Sequence, residues 1–238
     1  MYLAIIPAFN EEESIATVIH EMNKYVDHVA VIDDYSADNT GKIAEECGAT
    51  VIRHLTNKGV GGAMKTGIAY AKKLKPEIVI TIDADAQQRP EDTPCLLRPI
   101  IDEEADLVLG SRFLVGQPTS MPLLKKIGNE SLAFIVSLLS GVKLTDTQTG
   151  FRALNRKALL SLSLASDFTY TQEMILVLCH KGFRCVEVPI QVYPRKYGKS
   201  KVVSGIGTYA LKSLAIVFST YLRLRIHALE PELKLLGS

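Results

Sequence analysis

Two carboxylates separated by one residue are the strongest candidates for chemistry in this sequence. Asp83 and Asp85, followed by Gln87, come directly after an apolar run that predicts a buried strand. Carboxylate and amide oxygens are the ligands that Mg²⁺ and Mn²⁺ prefer, and such ions commonly bridge protein carboxylates to substrate phosphates. The pattern therefore predicts a divalent-metal site made by Asp83, Asp85 and Gln87, where the metal would neutralise a departing diphosphate.

Two more polar clusters follow predicted strands: PAFNEEES at 7–14 and IDDYSADNT at 32–40. The run of glutamates would repel a phosphate, so the first cluster suits a nucleoside, with Phe9 against a base and Glu11 toward ribose hydroxyls. An aspartate at the end of the second strand can accept hydrogen bonds from a base imide or from ribose. Purely structural roles stay open: acids favour helix N-termini, Asp38 suits a helix cap and Asp33 suits a turn.

The glycine-rich segment NKGVGGAMKTG at 57–67 does not satisfy the phosphate-binding P-loop pattern. That pattern needs glycine directly before the Lys-Ser/Thr pair, and Met64 stands there before Lys65. The segment is instead predicted to be a glycine-rich entry into a helix. A supporting role for Lys58 or Lys65 near a bound ligand stays open.

The apolar pattern of the chain predicts an α/β fold in one domain spanning 1–238. Short apolar strands at 2–7, 29–33, 50–53, 77–82 and 107–110 alternate with helical patterns at 12–25, 39–47, 62–74 and 92–103. This alternation indicates a Rossmann-like, mostly parallel central sheet flanked by helices. Such sheets bind ligands beyond the carboxyl ends of their strands, where the polar clusters lie. Further helices are predicted at 126–139, 172–181 and 207 to about 227, with strands at 151–155 and 185–192.

Charge and composition exclude several classes of function. The 27 basic and 26 acidic residues give a net charge of +1, which argues against nucleic-acid binding. The four cysteines have neither metal-binding nor disulfide spacing, so we expect buried thiols. No apolar run reaches 18 residues, so no membrane span is expected. The N-terminus is interpreted as a strand rather than a signal peptide.

In this order, the clusters resemble the family 2 inverting glycosyltransferases of the GT-A fold, most closely the dolichyl- and polyprenyl-phosphate sugar synthases. The resemblance runs from Pro7 to Lys201 and implies a nucleotide-sugar and metal half, 1–112, and an acceptor half with C-terminal helices, 113–238. It implies a GDP- or UDP-linked sugar donor with Mg²⁺ or Mn²⁺ on Asp83, Asp85 and Gln87. The nucleotide-sugar contacts that it implies are Pro7, Phe9, Glu11, Ile32, Asp34, Asp83, Ala84 and Asp85.

The same resemblance implies an acceptor side in the second half. Arg112 follows the fifth strand, where an arginine can grip phosphate oxygens bidentately. In the segment 121–129, Lys125 and Asn129 take the places of the arginine and serine usual in the family. The loop Arg195–Lys201 resembles the family signature Arg-x-x-Gly-x-Ser-Lys and would close over the phosphates. The implied acceptor-phosphate residues are Arg112, Lys125, Asn129 and Arg195, and the implied catalytic residues are Asp85, Arg112, Asp146, Arg195 and Lys201.

The reaction implied is in-line attack of a dolichyl or polyprenyl phosphate on the anomeric carbon, with inversion. A phosphate oxyanion is already ionised, so no strong general base is required. Asp146, in the characteristic segment DTQTGFR at 146–152, would position a donor hydroxyl or the acceptor, and Glu173 would line the same cleft.

The lipid acceptor implies a peripheral protein at the cytoplasmic face of a membrane. Many relatives in this family continue into transmembrane helices, whereas this chain offers the segments 131–139 and 208–224 as membrane-docking surfaces. Packing of these helices onto the sheet, onto a partner protein or in a homo-oligomer is the alternative.

Other functions are distinguishable by residue chemistry. A family 2 enzyme with a saccharide acceptor would need a carboxylate base, for which Asp146 or Glu173 would serve. A sugar nucleotidyltransferase should carry a glycine-rich phosphate loop after the first strand, where Ala8–Glu11 stands instead. A non-catalytic nucleotide-sugar binder would not need the metal set together with Arg195 and Lys201.

Overall fold

The computed structural model describes residues 1–114, 123–194 and 206–236, without the side chains of 123–125, 206–207 and 227–236. The strands are β1 (Tyr2–Ala8), β2 (His28–Asp33), β3 (Thr50–Arg53), β4 (Ile78–Thr81), β5 (Leu107–Ser111), β6 (Arg152–Asn155) and β7 (Cys185–Pro189). The helices are α1 (Ile15–Met22), α2 (Thr40–Glu46), α3 (Gly59–Leu74), α4 (Thr93–Ile101), α5 (Leu123–Ser140), α6 (Arg156–Ser161), α7 (Thr171–His180) and α8 (Ile206–Leu236).

The seven strands form one sheet in the order β3-β2-β1-β4-β6-β5-β7. Every strand runs in the same direction except β6, which pairs antiparallel with both β4 and β5. The predicted mostly parallel α/β sheet is therefore confirmed. Strand β6 comes from the second half of the chain yet lies between two strands of the first. The single domain and its division at residue 112 stay predictions.

Helices cover both faces of the sheet, which explains the continuous apolar runs of its central strands. In β1, Leu3 and Ile5 belong to the core shared with α3, α5, α6, α7 and α8. Ala4 and Ile6 belong to the core on the opposite face, shared with α1, α2 and α4. Successive side chains of a strand point to opposite faces, so a strand buried on both sides must be apolar at every position.

Differences from the predicted elements have local physical causes. Helix α6 has six residues, too few for helical periodicity to show, and begins where Asn155 Oδ1 accepts a hydrogen bond from Ala158 N at 2.8 Å. The strand predicted at 185–192 ends at Pro189, after which Val192 makes an isolated bridge to Gln88. The expectation of buried thiols is confirmed for Cys185, holds in part for the half-buried Cys47 and Cys179, and is wrong for Cys95, which is exposed on α4.

Of the five non-glycine residues with positive φ in the described part of the chain, three lie in loops at the carboxyl edge of the sheet, and the other two, Lys75 and Glu103, follow α3 and α4. Asn10 follows β1, Tyr35 follows β2 and Ala86 lies beyond β4, and these residues have φ of 51°, 69° and 55°. A non-glycine residue in this region costs about 1–3 kcal/mol and persists only where its surroundings impose it. The rest of the fold therefore holds these loops in defined conformations at one edge.

No helix in the described part of the chain has the length and apolar character needed to cross a membrane.

Candidate active site

The loops at the carboxyl edge of the sheet enclose a cleft of about 750 Å³. Its wall also includes the start of α3, the segments around Gln148 and Phe168, and Tyr209 of α8. The cleft brings together seven of the eight residues predicted to contact a nucleotide sugar, which are Pro7, Phe9, Glu11, Asp34, Asp83, Ala84 and Asp85. The structure thus places three separate sequence clusters at one site.

Ile32 is the eighth of these residues, and its placement corrects the prediction. Its side chain is 0% exposed and packs in the core beside Ile5 and Gly67, so it does not reach the cleft. Position 32 precedes the strand end by one residue, and alternation turns its side chain toward the α3 face.

The two aspartates that follow Ile32 have different tasks. Asp33 Oδ1 accepts a hydrogen bond from Ser36 N at 2.9 Å, which confirms its expected role as a turn residue. Asp34 lines the cleft although only 3% of it is exposed. Its carboxylate accepts hydrogen bonds from Lys58 N and Gly59 N, each at 2.8 Å. The N-terminus of α3 thereby stabilises a negative charge at the cleft wall.

Part of the acidic cluster after β1 is structural. Glu12 Oε2 accepts a hydrogen bond from Asn39 N at 3.0 Å. Asp38 Oδ1 accepts one from Thr40 N at 3.0 Å, although Asn39 rather than Asp38 occupies the N-cap position of α2. Asn10 N in turn donates to Ser36 Oγ at 2.9 Å. These bonds join the loops after β1 and β2, and Glu11 of the same cluster lines the cleft.

The pair Asp83 and Asp85 fits a divalent cation. Both carboxylates line the cleft immediately after β4, and the negative charge of Asp85 raises the electrostatic cost of ionising Asp83. Among the described residues no cluster of three carboxylate, histidine or cysteine ligands exists. Two carboxylates with neighbouring open space suit Mg²⁺ or Mn²⁺ that also binds substrate phosphates, because these ions are seldom fully enclosed by protein ligands.

Burial, reinforced by the negative charge of Asp85, raises the pKa of Asp83 to about 7. The positive charge of Arg112 and a hydrogen bond from Gln88 act in the opposite direction. A raised pKa at a cleft carboxylate indicates a site where charge is poorly compensated by the protein alone. A bound cation would supply that compensation.

The third predicted metal ligand, Gln87, does not contact Asp83. Its side-chain nitrogen donates to Tyr193 O at 3.3 Å, and its backbone nitrogen donates to Asp85 Oδ1 at 3.0 Å. Gln88 takes the place beside Asp83, donating from Nε2 to Asp83 Oδ2 at 2.6 Å and accepting from Asp83 N at 2.9 Å. The turn at Ala86 decides which glutamine faces the strand end, so sequence spacing did not reveal Gln88.

Gly150 provides the room that the Asp83 carboxylate occupies. A Cβ at position 150 would lie 2.3 Å from Asp83 Oδ1 and 2.8 Å from Oδ2. Thr81 Oγ1 donates to Gly150 O at 2.6 Å, which fixes the glycine against the end of β4. Only glycine at position 150 therefore allows Asp83 to keep this orientation.

Arg112 and Asp146, both predicted to be catalytic, bind each other. Arg112 Nε and Nη2 donate to the two oxygens of Asp146 at 2.6 Å and 2.9 Å. Asp146 is 1% exposed, and its backbone nitrogen donates to Glu187 Oε1 at 2.7 Å. Burial raises the pKa of Glu187, a residue that the sequence did not single out. Asp146 thus orients Arg112 and is not free to act as a base.

Glu173 is likewise engaged in structure. It is 1% exposed and accepts hydrogen bonds from Ala165 N, Ser166 N and, at 2.6 Å, Arg223 Nη2 of α8. The loop that it holds packs on α3, where Gly61 N donates to Asp167 O at 3.0 Å. A Cβ on Gly61 would lie 2.6 Å from Ser166 O, so the glycines serve close packing, in agreement with rejection of the P-loop.

Arg152 is a buried cation that sequence reasoning missed. It is 0% exposed and donates to the carbonyl oxygens of Thr147, Thr149 and Thr171. Its position at the end of the segment DTQTGFR was the sequence signal that could have indicated a role for Arg152. In the sheet, register places Arg152 opposite Thr81 at the end of β4. Arg152 therefore fixes the loop that carries Gly150.

The predicted acceptor-phosphate residues are only partly described. Asn129 lies on α5 and is 8% exposed, and it does not line the cleft. Lys125 lies in the first turn of α5, and its side chain is outside the described part. Arg195 and Lys201 lie outside the described residues altogether. Their roles stay predictions.

Substitution Gly150→Ala should weaken metal binding without unfolding the protein. The added methyl displaces the Asp83 carboxylate, whose side chain can rotate away. We expect the Mn²⁺ dissociation constant to rise at least about tenfold, as for loss of a supporting contact in a metal site. Gly128→Ala on α5 is the control, because its Cβ meets nothing within 4 Å. Equal Mn²⁺ affinity in Gly150→Ala and Gly128→Ala, by titration calorimetry, would refute the role of Gly150.

Substitution Asp83→Asn should stabilise the metal-free protein above pH 7. The folded pKa of about 7 exceeds the unfolded value of 3.8, so the wild type loses stability as the pH rises from about 4 to 7. The introduced asparagine does not ionise, so the variant does not lose stability over this pH range. We expect a melting temperature higher by roughly 2–4 °C at pH 8, which corresponds to about 1 kcal/mol, and no difference near pH 4.

Thermal unfolding in the presence of a chelator measures this difference, and added Mn²⁺ should reverse its sign by stabilising only the wild type. A constant difference from pH 4 to 8 would show that Asp83 ionises normally.

Similarity to known proteins agrees with this geometry. The chain is 36% identical to the UDP-N-acetylglucosamine--dolichyl-phosphate N-acetylglucosaminyltransferase of Methanococcus voltae, over 83% of this chain and 87% of that protein. It is 31% identical to the undecaprenyl-phosphate mannosyltransferase of Micrococcus luteus, over 86% of this chain and 88% of that protein.

Among solved structures, the chain resembles glucosyl-3-phosphoglycerate synthase of Mycobacterium tuberculosis in complex with Mn²⁺, UDP and glucosyl-3-phosphoglycerate. The TM-score is 0.70 at 21% identity, over 92% of this chain and 79% of that chain. At this identity the likeness shows the fold, which is the GT-A fold. The sequence pattern of glycosyl transferase family 2 matches residues 3–162. The chain is a glycosyltransferase and belongs to glycosyl transferase family 2.

Proposed function

We propose that the protein transfers a sugar from a nucleoside-diphosphate sugar to a dolichyl or polyprenyl phosphate, with inversion at the anomeric carbon and with Mg²⁺ or Mn²⁺ bound. The donor is a UDP- or GDP-linked sugar. The reaction takes place at the cytoplasmic face of a membrane, where the protein is peripheral. Relatives whose names include dolichyl-phosphate or undecaprenyl-phosphate transfer support this acceptor class.

The state of Asp146 and Glu173 is the observation that carries the choice of acceptor. Each is 1% exposed, and its carboxylate is bound by an arginine, Arg112 or Arg223 respectively. A saccharide hydroxyl needs a base to remove its proton, and Asp146 and Glu173 were the two carboxylates that the sequence suggested for that task. A phosphate oxyanion needs no base, so their engagement favours a phosphate acceptor.

On the donor side, Asp83 and Asp85 would hold the cation. The cation would offset negative charge on the diphosphate as it departs. Phe9, Glu11 and Asp34 would hold the nucleoside, since they line the wall of the cleft beside these carboxylates. The protein thereby orients the donor before transfer, which lowers the entropic part of the barrier.

Arg112 is the described cation best placed for a phosphate. Its Nε and Nη2 bind Asp146, and its positive charge opposes the rise in the pKa of the nearby Asp83. Nη1 of Arg112 donates no hydrogen bond to any of the described residues, and 22% of the Arg112 side chain is exposed. We assign this edge of the guanidinium to the acceptor phosphate, together with Lys125, Asn129 and Arg195, and we assign Lys201 a catalytic role.

Helices α5 and α8 each present an apolar outer stripe that we assign to the membrane surface. Phe134 and Leu138 on α5 are 70% and 72% exposed, and Phe218 and Leu222 on α8 are 49% and 59% exposed. The inner faces pack on the core, as the alternative interpretation of these helices expected. Exposed apolar area of this kind marks a membrane or protein contact. A lipid acceptor favours the membrane, and a homo-oligomer or a membrane partner is the competing explanation.

Incubation with Mn²⁺, a polyprenyl phosphate and a panel of labelled UDP- and GDP-sugars should yield a lipid-linked sugar with one donor. An α-linked donor should give a β-linked product, read from the anomeric proton coupling. Asp85→Ala should lower kcat at least about a hundredfold because charge on the leaving diphosphate is no longer offset. The control Cys95→Ser, at an exposed position of α4, should leave the rate unchanged.

Transfer to a free saccharide, and to no lipid phosphate with any donor, would overturn the acceptor assignment. Full turnover of Asp85→Ala would overturn the metal assignment.

Co-sedimentation with vesicles that contain anionic lipid should separate membrane docking from partner binding. The double variant Phe218→Glu and Leu222→Glu should lower vesicle affinity at least about tenfold, because two apolar side chains no longer leave water. Leu55→Glu is the matched control, since Leu55 is 90% exposed but lies in the loop after β3. Wild-type protein that forms dimers and does not co-sediment with vesicles would contradict the membrane assignment.

A further inference from the structure

His54 lies directly after β3, behind the cleft wall, and is 6% exposed. Its Nδ1 is 2.7 Å from Asp34 Oδ1, and its Nε2 is 2.8 Å from Thr66 Oγ1 on α3. Neither His54 nor Thr66 lines the cleft. The imidazole therefore connects a helix of the core to a carboxylate that faces the ligand space.

The hydrogen-bond partners determine where the ring carries its protons. The Asp34 carboxylate only accepts, so Nδ1 of His54 must donate. If the ring is neutral, Nε2 accepts from the Thr66 hydroxyl. If the ring is cationic, Nε2 donates and the Thr66 hydroxyl turns to Gly62 O, which lies at 3.3 Å. In both cases Nδ1–H points at Asp34, so the contact is kept in either charge state.

The donors around Asp34 leave little acceptor capacity. Oδ1 accepts from His54 Nδ1 and from Lys58 N, and Oδ2 accepts from Gly59 N. A carboxylate offers about four acceptor positions, two on each oxygen. Among the hydrogen bonds of the described residues, one position on Oδ2 is therefore unused. Since Asp34 lines the cleft, a ligand that donates one hydrogen can be bound there.

We propose that His54 is a positioning residue that makes Asp34 present a single acceptor to the donor base. Filling of Oδ1 by His54 leaves one acceptor, which selects a base whose ring nitrogen carries hydrogen, as in uracil or guanine. A base whose corresponding ring nitrogen is itself an acceptor, as in cytosine or adenine, places two acceptors against each other and is rejected. This inference rests on the proposed nucleotide site.

The ratio of nucleotide affinities is the property that this role changes. Calorimetry with Mn²⁺ should show tighter binding of UDP than of CDP, or of GDP than of ADP, by the wild type. In His54→Leu that ratio should fall about tenfold or more, as for loss of a hydrogen bond to a charged group. A structural defect alone would weaken both nucleotides of a pair and leave the ratio unchanged.

Two conservative variants test the mechanism without removing a polar side chain. His54→Asn places an amide nitrogen where Nδ1 stood and should retain most of the ratio. His54→Gln extends its amide toward Thr66, away from Asp34, and should lose the ratio. His28→Leu is the matched control, because His28 bonds Tyr70 at the opposite end of β2.

An unchanged ratio in both His54→Leu and His54→Gln would overturn the role of His54 while the nucleotide site stands. Equal ratios for the asparagine and glutamine variants would show that the Nδ1 contact is not responsible. Wild-type protein that binds none of the four nucleotides would overturn the proposed donor site, and this inference with it.

Discussion

Four carboxylates, those of Glu11, Asp34, Asp83 and Asp85, line one cleft, and their mutual repulsion must be offset by other groups. The offset differs along the wall. Backbone N–H groups at the start of α3 donate hydrogen bonds to Asp34, whereas Asp83 is offset by a hydrogen bond from Gln88 and by the more distant charges of Arg112 and Arg152. The charge is therefore compensated at Asp34, on the proposed nucleoside side, and poorly compensated at Asp83, on the proposed metal side. That difference fits the proposal that the nucleoside binds beside Asp34 and the cation beside Asp83.

A second group of charged residues, mostly buried, shapes the wall of the cleft through ion pairs and hydrogen bonds, and only Arg112 among them is also proposed to contact a substrate. Arg112 and Asp146 neutralise each other, Glu173 binds Arg223, and Arg152 is surrounded by carbonyl oxygens. Removing one partner of such a pair leaves a buried charge unpaired, which costs far more than the pair contributes. These residues therefore constrain the loops of the second half, so that Gly150 and Phe168 reach the cleft in fixed positions.

The engaged state of Asp146 and Glu173 also links architecture to reaction class. An enzyme that activates a hydroxyl needs a carboxylate near the acceptor that can take up a proton. An enzyme whose acceptor is an ionised phosphate does not, so its carboxylates can all form structural ion pairs and hydrogen bonds. Helix α8 takes part in both levels, since Arg223 holds the loop through Glu173 while Phe218 and Leu222 face outward. The surface assigned to the lipid and the wall of the cleft thus share one helix.

The sequence by itself determined the strands and most helices, because burial on two faces demands continuous apolar runs and burial on one face demands helical spacing. It also determined that polar clusters after β1, β2 and β4 share an edge, since parallel strands end together. The place of the antiparallel β6 and the direction of Ile32 were decided by tertiary structure. Tertiary structure also decided that Gln88 rather than Gln87 bonds Asp83, that Arg112 pairs with Asp146, and that His54 contacts Asp34. Each depends on residues distant in the chain or on a turn such as that at Ala86, and local periodicity carries no information about either.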